Sequence, residues 1–264
     1  MSTVINLRAA PGIQGITELP PDQISDLEVW YKGDLDTFSD GACSVPSVNN
    51  GNVDCWGDQS GNNKDLIAPA APLLRTSFIN GISVLDFDGS NDNMVLPPDA
   101  NMNFEYNSSF TIFWVTRKDD DVTNRIHVSQ QDNIAPFVGW SISGSSFICL
   151  TLIADAVNKI AYDTSLGILT AGNNYYNIAT YDGAQTSGSG RIWSNGVEQV
   201  VAATGAGTNS NSIQTAGVEF NLAARDRAAL FSFDKFAELA VFLKELSAVE
   251  IAGLNSYAAT RYAI

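Results

Sequence analysis

Histidine is almost missing from this chain: His127 is the single one in 264 residues. Any Ser-His-Asp or Cys-His nucleophilic site would have to be built around it, and no G-x-S-x-G elbow accompanies it. Cysteine is scarce too, with only Cys43, Cys55 and Cys149. Three scattered thiols and one imidazole show no zinc-ligand spacing. Cys43 and Cys55 flank a Gly/Asn-rich loop and are a disulfide candidate, with free thiols an equal alternative, because spacing carries no geometry. Cys149, in an apolar strand, reads as a buried thiol. Positive charge is in short supply: 14 Lys plus Arg against 29 Asp plus Glu leave a net charge of -15. That field repels phosphates and no basic stripe interrupts it, which argues against a nucleic-acid partner and against anionic membranes. Long apolar runs are also lacking. The longest, 147–154 and 236–243, are far too short to cross a bilayer, so no membrane insertion is expected. The first residues lack the basic start, apolar stretch and small-residue site of a secretory leader, which points away from ordinary secretion.

What is present is a hydrophobic fraction of 45%, enough for one sizeable core. A single globule of this size buries roughly 75% of the surface its unfolded chain exposes. Short β-prone runs separated by turn chemistry fill the chain from Leu27 onward, among them 83–87, 93–96, 109–116, 125–129, 137–142, 147–153, 159–162, 175–181, 191–194, 197–201, 218–223 and a divided 231–243. Val138, Trp140 and Ile142 alternate with small polar residues, the period of a half-buried strand. Asp182-Gly183 and Asn195-Gly196 are hairpin signals. About a dozen strands at this spacing predict an all-β sandwich. One helix stands out at the end, where Ser247-Ala-Val-Glu250 is a capping box ahead of Ile251, Leu254, Ala258 and Tyr262 at helical spacing. It is expected to pack on the sandwich edge or close one end. Residues 1–26 differ: Pro11-Gly12, Gly15 and Pro20-Pro21 break regular structure, while Val4, Ile5, Leu7, Ile13, Ile16 and Leu19 are too apolar for a solvated tail. This stretch reads as an extended arm that either wraps its own domain or docks on a neighbour. The organisation is therefore an arm, 1–26, and one domain, 27–264.

An ordered set of motifs now bears on family. Leu27-Glu-Val-Trp-Tyr-Lys-Gly-Asp34 opens the series, followed by the Trp56-Gly-Asp-Gln-Ser-Gly-Asn62 loop and Leu85-Asp-Phe-Asp-Gly-Ser-Asn-Asp92. Then come Ser109-Phe-Thr-Ile-Phe-Trp114, Tyr181-Asp-Gly183, Arg191-Ile-Trp-Ser-Asn-Gly-Val197 and the run from Ala237 to Ile251. In that order the chain resembles LamG-like domains of the concanavalin A-like lectin/glucanase superfamily. The resemblance implies a jelly roll of two antiparallel sheets. It implies no single function, since lectins, glycoside hydrolases, adhesion modules and virus-particle proteins share the fold.

Glycoside hydrolysis needs two carboxylates about 5–9.5 Å apart, and the superfamily's glucanases carry them as an E-x-D-x-E pattern. Here Glu198, Glu219 and Glu238 are each isolated. His127 lies between Ile126 and Val128, and strand alternation predicts that it points to the face opposite theirs. No enzyme is expected. Calcium is the one ion left open, because some LamG-like domains bind it through loop oxygens. The candidates are Asp86, Asp88, Asn91 and Asp92, with the acidic run Asp119 to Asp121 as a second cluster. The competing reading has Asp88 capping backbone amides. For a sugar, Arg191, Trp193 and Asn195 alternate onto one strand face, and Tyr175, Asn177 and Tyr181 do so on the strand before. Placed as neighbours, the two sets would share a face and form an aromatic platform with polar arms. The competing reading packs Trp193 between the sheets and pairs Arg191 with an acid.

Two functions fit these residues. The first is a non-enzymatic virion structural protein, capsid-decorating or tail-associated, whose arm engages other virion proteins or a second copy of the chain. The second is a carbohydrate-binding module of an extracellular or cell-surface protein, with calcium as its conceivable cofactor.

Overall fold

The computed structural model describes residues 17–96, 102, 104, 107–120, 125–131, 139–153, 159–205, 218–225 and 230–264. In chain order its strands are β1 (Leu27–Lys32), β2 (Thr37–Phe38), β3 (Cys55–Trp56), β4 (Leu66–Ala70), β5 (Leu73–Ile79) and β6 (Ile82–Asp86). Next are β7 (Asn93–Leu96), β8 (Phe110–Arg117), β9 (Ile126–Gln131), β10 (Gly139–Gly144), β11 (Ile148–Ile153) and β12 (Lys159–Thr164). The series closes with β13 (Asn174–Tyr181), β14 (Gly190–Ser194), β15 (Val197–Glu198), β16 (Val201–Thr204), β17 (Phe220–Leu222) and β18 (Lys235–Phe242), then helix α1 (Ala248–Tyr262).

These strands make two antiparallel sheets, as the motif order implies. One runs β15-β14-β13-β8-β18-β6-β5 with β1 also paired to β18, and the other runs β16-β12-β11-β10-β9-β17-β7-β4-β3-β2. The period of two decides what lies between them. Trp140 and Ile142 on β10, Ile148, Leu150 and Leu152 on β11, and Ile112 and Trp114 on β8 all enter one buried cluster with Trp56, Phe110 and Tyr181. The stretch expected as a divided strand over 231–243 is one continuous β18, and 197–201 splits into β15 and β16.

A second buried cluster lies on the outer face of the eight-stranded sheet. Trp30, Phe113, Tyr176, Ile178, Trp193, Ala240 and Phe242 pack there against Ile251, Leu254, Ala258 and Tyr262 of α1. The helix therefore covers a sheet face rather than an edge or an end. Its start is the capping box read from sequence: Ser247 Oγ accepts from the Glu250 amide, and the Glu250 carboxylate accepts from the Ser247 amide at 2.8 Å. Beneath the helix, Glu238 of β18 is fully buried. Its Oε1 accepts from Trp30 Nε1 at 2.5 Å and Tyr257 Oη at 3.0 Å, and its Oε2 from Tyr262 Oη at 2.5 Å. Burial pushes this carboxyl above its ordinary range, with Tyr262, Trp30, Arg261 and Tyr257 pulling the other way.

The described end of the arm lies on its own domain. The Leu19 amide donates to the Gly253 carbonyl at 3.1 Å, and Ile24 joins the cluster under α1. A Cβ on Gly253 would stand 2.6 Å from the Leu19 side chain, so only glycine admits that approach. Val4, Ile5, Leu7, Ile13 and Ile16 of the arm, and Val138 of the alternating strand, lie outside the described residues. Cys43 and Cys55 are joined in a disulfide with a Cα–Cα distance of 5.5 Å. Cys149 is buried and free, and burial pushes its thiol up to about 12.

Candidate functional site

Strand register decides which sequence-read residues meet. β13 pairs with β14 so that Ile178 faces Trp193, Asn177 faces Ser194 and Thr180 faces Arg191. Directly paired residues share a face, which separates the two sets proposed for a common platform. Tyr175 and Tyr181 enter the cluster between the sheets, whereas Trp193 enters the one under α1. Tyr181 stacks near Phe110 at 5.6 Å, Tyr175 Oη takes the Thr170 amide at 2.9 Å, and Asn177 Oδ1 takes Ser194 Oγ at 2.8 Å. All three are interior residues, and Asn177 Nδ2 is buried without a partner. The shared platform is thus corrected by register: one set faces the core and the other the helix.

The Arg191 set does build a site. Asn195 (φ 46°) and Gly196 (φ 76°) form the tight β14–β15 turn, a left-handed pair suited to a two-residue hairpin. Asn195 is occupied there, its amide and Oδ1 both bonded to the Tyr176 backbone. The turn brings Glu198 back beside Arg191, whose Nε and Nη2 donate to the two carboxylate oxygens at 2.8 and 3.0 Å. The guanidinium also lies 4.7 Å from the centroid of the Trp193 ring. Trp193 is only 6% exposed and packs beneath the helix rather than between the sheets. Across from this hairpin, α1 presents Ala248, Ile251, Ala252 and Asn255. Together they enclose a groove of about 250 Å³ whose remaining lining is Arg191, Trp193, Gly196 and Glu198. Asn255 Oδ1 itself is shut off from solvent and accepts no hydrogen bond. Sequence reading passed over Glu198 as isolated and did not consider Asn255. The helical spacing 248, 251, 252, 255 is the signal that could have found the latter.

The proposed calcium ligands do not converge. Asp86 is paired with Arg75 at 2.7 Å and Lys235 at 2.8 Å. Asp88 Oδ1 accepts from the amides of Ser90, Asn91 and Asp92, and against burial these hold its carboxyl below the usual range. Asp92 takes the Asp88 amide at 3.0 Å; burial pushes it up to about 6, the Asp88 amide opposing and the Asp88 and Asp86 charges adding. Asn91 is exposed. The turn is thus held by carboxylates capping amides. In the second cluster, Asp119 pairs with Lys235 and Arg117, and Asp120 with Lys118 and Arg125; Asp121 lies outside the described residues. Among the described residues, the one grouping of metal-ligand side chains within 4.8 Å is Cys43, Cys55 and Asp65, whose sulfurs are spent on the disulfide.

His127 is not where alternation puts it. β9 pairs with β10 as Ile142 with Val128 and then Ser143 with Ile126, so His127 is the extra residue of a bulge. The bulge turns the ring inward, 6.2 Å from Trp114 and 5.6 Å from Phe236, and flat against Gly144. Its Nε2 bonds Asp234 Oδ2 at 2.7 Å, and Lys118 Nζ stands 3.5 Å from the same carboxylate's other oxygen. Burial would raise the Asp234 carboxyl, but the His127 hydrogen bond and the charges of His127 and Lys118 hold it below its ordinary value. All three side chains are at most 1% exposed. The dyad and Glu238 are both buried in the described structure.

No protein-family model matches the chain, and no curated protein matches it. Solved structures do. The binding domain of Paraclostridial Mosquitocidal Protein 1 is 15% identical, with a TM-score of 0.65 over 90% of this chain and 53% of that one. The binding domain of botulinum neurotoxin serotype G is 14% identical, with a TM-score of 0.59 over 78% and 49%. A Trypanosoma rangeli sialidase in complex with sialic acid is 13% identical, with a TM-score of 0.59 over 92% and 35%. The chain thus spans about half the length of the toxin domains and about a third of the sialidase. At these identities the likeness establishes one thing, which is that the chain adopts a two-sheet antiparallel β-sandwich.

Proposed function

We propose that the chain is a non-enzymatic, LamG-like recognition module that binds carbohydrate. One observation carries this: the hairpin and the helix jointly line a groove where the Trp193 ring and the Arg191–Glu198 pair meet the apolar side chains of α1. An apolar wall with a few convergent polar groups is the ordinary make-up of a small-ligand site. The burial of Glu238 and of the His127–Asp234 dyad supports the non-enzymatic reading. The similar toxin structures are named as binding domains, which supports recognition over catalysis. A glycan array, run with and without chelator, tests this. Saturable binding to a defined set of glycans, the same in both conditions, is the expected result. Silence in both refutes the carbohydrate reading; binding that chelator abolishes restores calcium.

A second reading, a capsid-decorating or tail-associated virion protein, is favoured by the apolar residues immediately ahead of the docked Leu19. It places the protein on a particle, with other virion proteins or a second copy as partner, and extracellular or cell-surface display as the alternative location. Mass photometry with the candidate particle distinguishes it: a chain that stays a free monomer refutes assembly and leaves carbohydrate recognition intact.

A further inference from the structure

We infer that the outward face of α1 is the docking surface for residues 13–16 of the same chain, with Ile13 and Ile16 covering Val249 and Ala252. The inference is independent of what the groove beside the hairpin binds. The first support is the face itself. α1 turns Ile251, Leu254, Ala258 and Tyr262 onto the sheet, and its opposite side carries Ala248, Val249, Ala252, Ser256 and Thr260, none of them charged. The helix has two charged residues, and both are engaged at its flanks: Glu250 pairs with Lys244 at 2.8 Å and Arg261 with Asp34 at 2.6 Å. A surface helix ordinarily opposes its apolar stripe with charged side chains, whereas one apolar all round is covered on both sides. Val249 is 75% exposed on this uncharged face.

The occupant is selected by a contact already made. The Leu19 amide donates to the Gly253 carbonyl at 3.1 Å, and a Cβ on Gly253 would meet the Leu19 side chain at 2.6 Å. Glycine is a poor residue for a helix interior, and it stands at the point where the arm crosses. Spacing then carries the arm onward. Ile13, Ile16 and Leu19 recur at every third residue, and three residues per turn is the period of polyproline II, which sets all three on one side. Pro20, just after them, has φ -63° and ψ 157°, inside that region. At 3.1 Å per residue, Ile13 to Leu19 spans about 19 Å, close to the roughly 22 Å length of a 15-residue helix. Ala248, Ala252 and Ser256, four apart, form a row of small side chains that lets a second backbone approach closely. Charge agrees: Arg8 is the one charged side chain in residues 1–16, on a chain of net charge -15.

Maleimide labelling of an Ala252→Cys reporter in the full chain tests this. Cys149 is buried and Cys43 is joined to Cys55, so the reporter is the accessible thiol. The expected result is that adding Ile13→Asp and Ile16→Asp speeds labelling at least about tenfold, while circular dichroism shows the sandwich intact. Gly253→Ala is the second route. It pushes Leu19 off while favouring the helix itself, and it should speed labelling at least about fivefold. Labelling that is equally fast with and without the two aspartates overturns the inference, because the face is then bare in the isolated chain. Protection that survives both the aspartates and Gly253→Ala overturns it as well, since something other than the arm covers the face. Protection lost on dilution, alongside a dimer in sedimentation, assigns the face to a second copy and overturns the same-chain docking.

Discussion

Replacing Glu238 by alanine would expose how much the helix depends on a single buried carboxylate. Three neutral donors converge on it, from Trp30 on β1 and from Tyr257 and Tyr262 on α1, and Arg261 Nε stands 3.6 Å away with Asp34 as its alternative partner. Alanine leaves the three donors buried and unsatisfied. At roughly 1–3 kcal/mol for each stranded group, offset by no longer burying a charge, the net loss should be about 3–5 kcal/mol. That is a large fraction of the roughly 5–15 kcal/mol that holds a domain together. Glu238→Gln keeps an acceptor oxygen and should cost about 1–2 kcal/mol. Urea unfolding followed by tryptophan fluorescence measures both. Because the folded carboxyl is raised, its favourable contribution is complete below the unfolded value and is lost as pH rises through the folded one. The gap between parent and glutamine variant should therefore narrow as pH increases. An alanine variant within about 1 kcal/mol of the parent, or a glutamine variant as damaged as alanine, refutes this account of how α1 is held.

Other perturbations have equally definite outcomes. A Cβ on Gly144 would fall 2.1 Å from the His127 ring, so Gly144→Ala should cost about 2–3 kcal/mol in the parent and much less in a chain that already carries His127→Ala, measured as a double-mutant cycle in urea. Asp92→Asn should raise stability by about 1 kcal/mol at pH 7. Since the Asp92 carboxyl sits at about 6 when folded, that gain should fade as pH drops through 6 and vanish below 4; a gain that persists at low pH contradicts the assignment. Replacing Cys43 and Cys55 by alanine opens a link across 12 residues of sequence and should lower stability by about 2–3 kcal/mol in denaturant melts.

Strands and helix were legible because their signals are local. The alternation around Trp140 and the Ser247–Glu250 box needed no knowledge of the rest of the chain, and both stand in the structure. Faces were harder. Tyr175, Asn177 and Tyr181 were placed beside Arg191 and Trp193 by strand adjacency alone. The connection from Asp182 to Ser189 is eight residues long rather than a two-residue turn that would fix the pairing, and a register offset of one residue sends every side chain to the other face. His127 failed for a related reason, since one bulged residue on β9 reverses parity without leaving a mark in composition. Glu198 escaped notice because only the tight Asn195-Gly196 turn brings it beside Arg191, and Asn255 because it meets the hairpin only through a helix distant in sequence. Strands β4 and β5 and the paired β2 and β3 also went unread, their runs being too short or too mixed to show a period.

Among the described strands, three of the four outermost in the two sheets offer a visitor little to pair with, and the fourth, β16, runs for only four residues. β15 and β2 are two residues each. The longer β5 is covered along its first half, where the Asn50 amide donates to the Leu74 carbonyl and the Leu74 amide to the Gly51 carbonyl, and then its pairing with β6 loses register between Arg75 and Ile79. Short, covered or irregular margins deny a template to a stray strand from another molecule. Among the described strands, few open edges are therefore left for neighbouring copies to pair with at high local density.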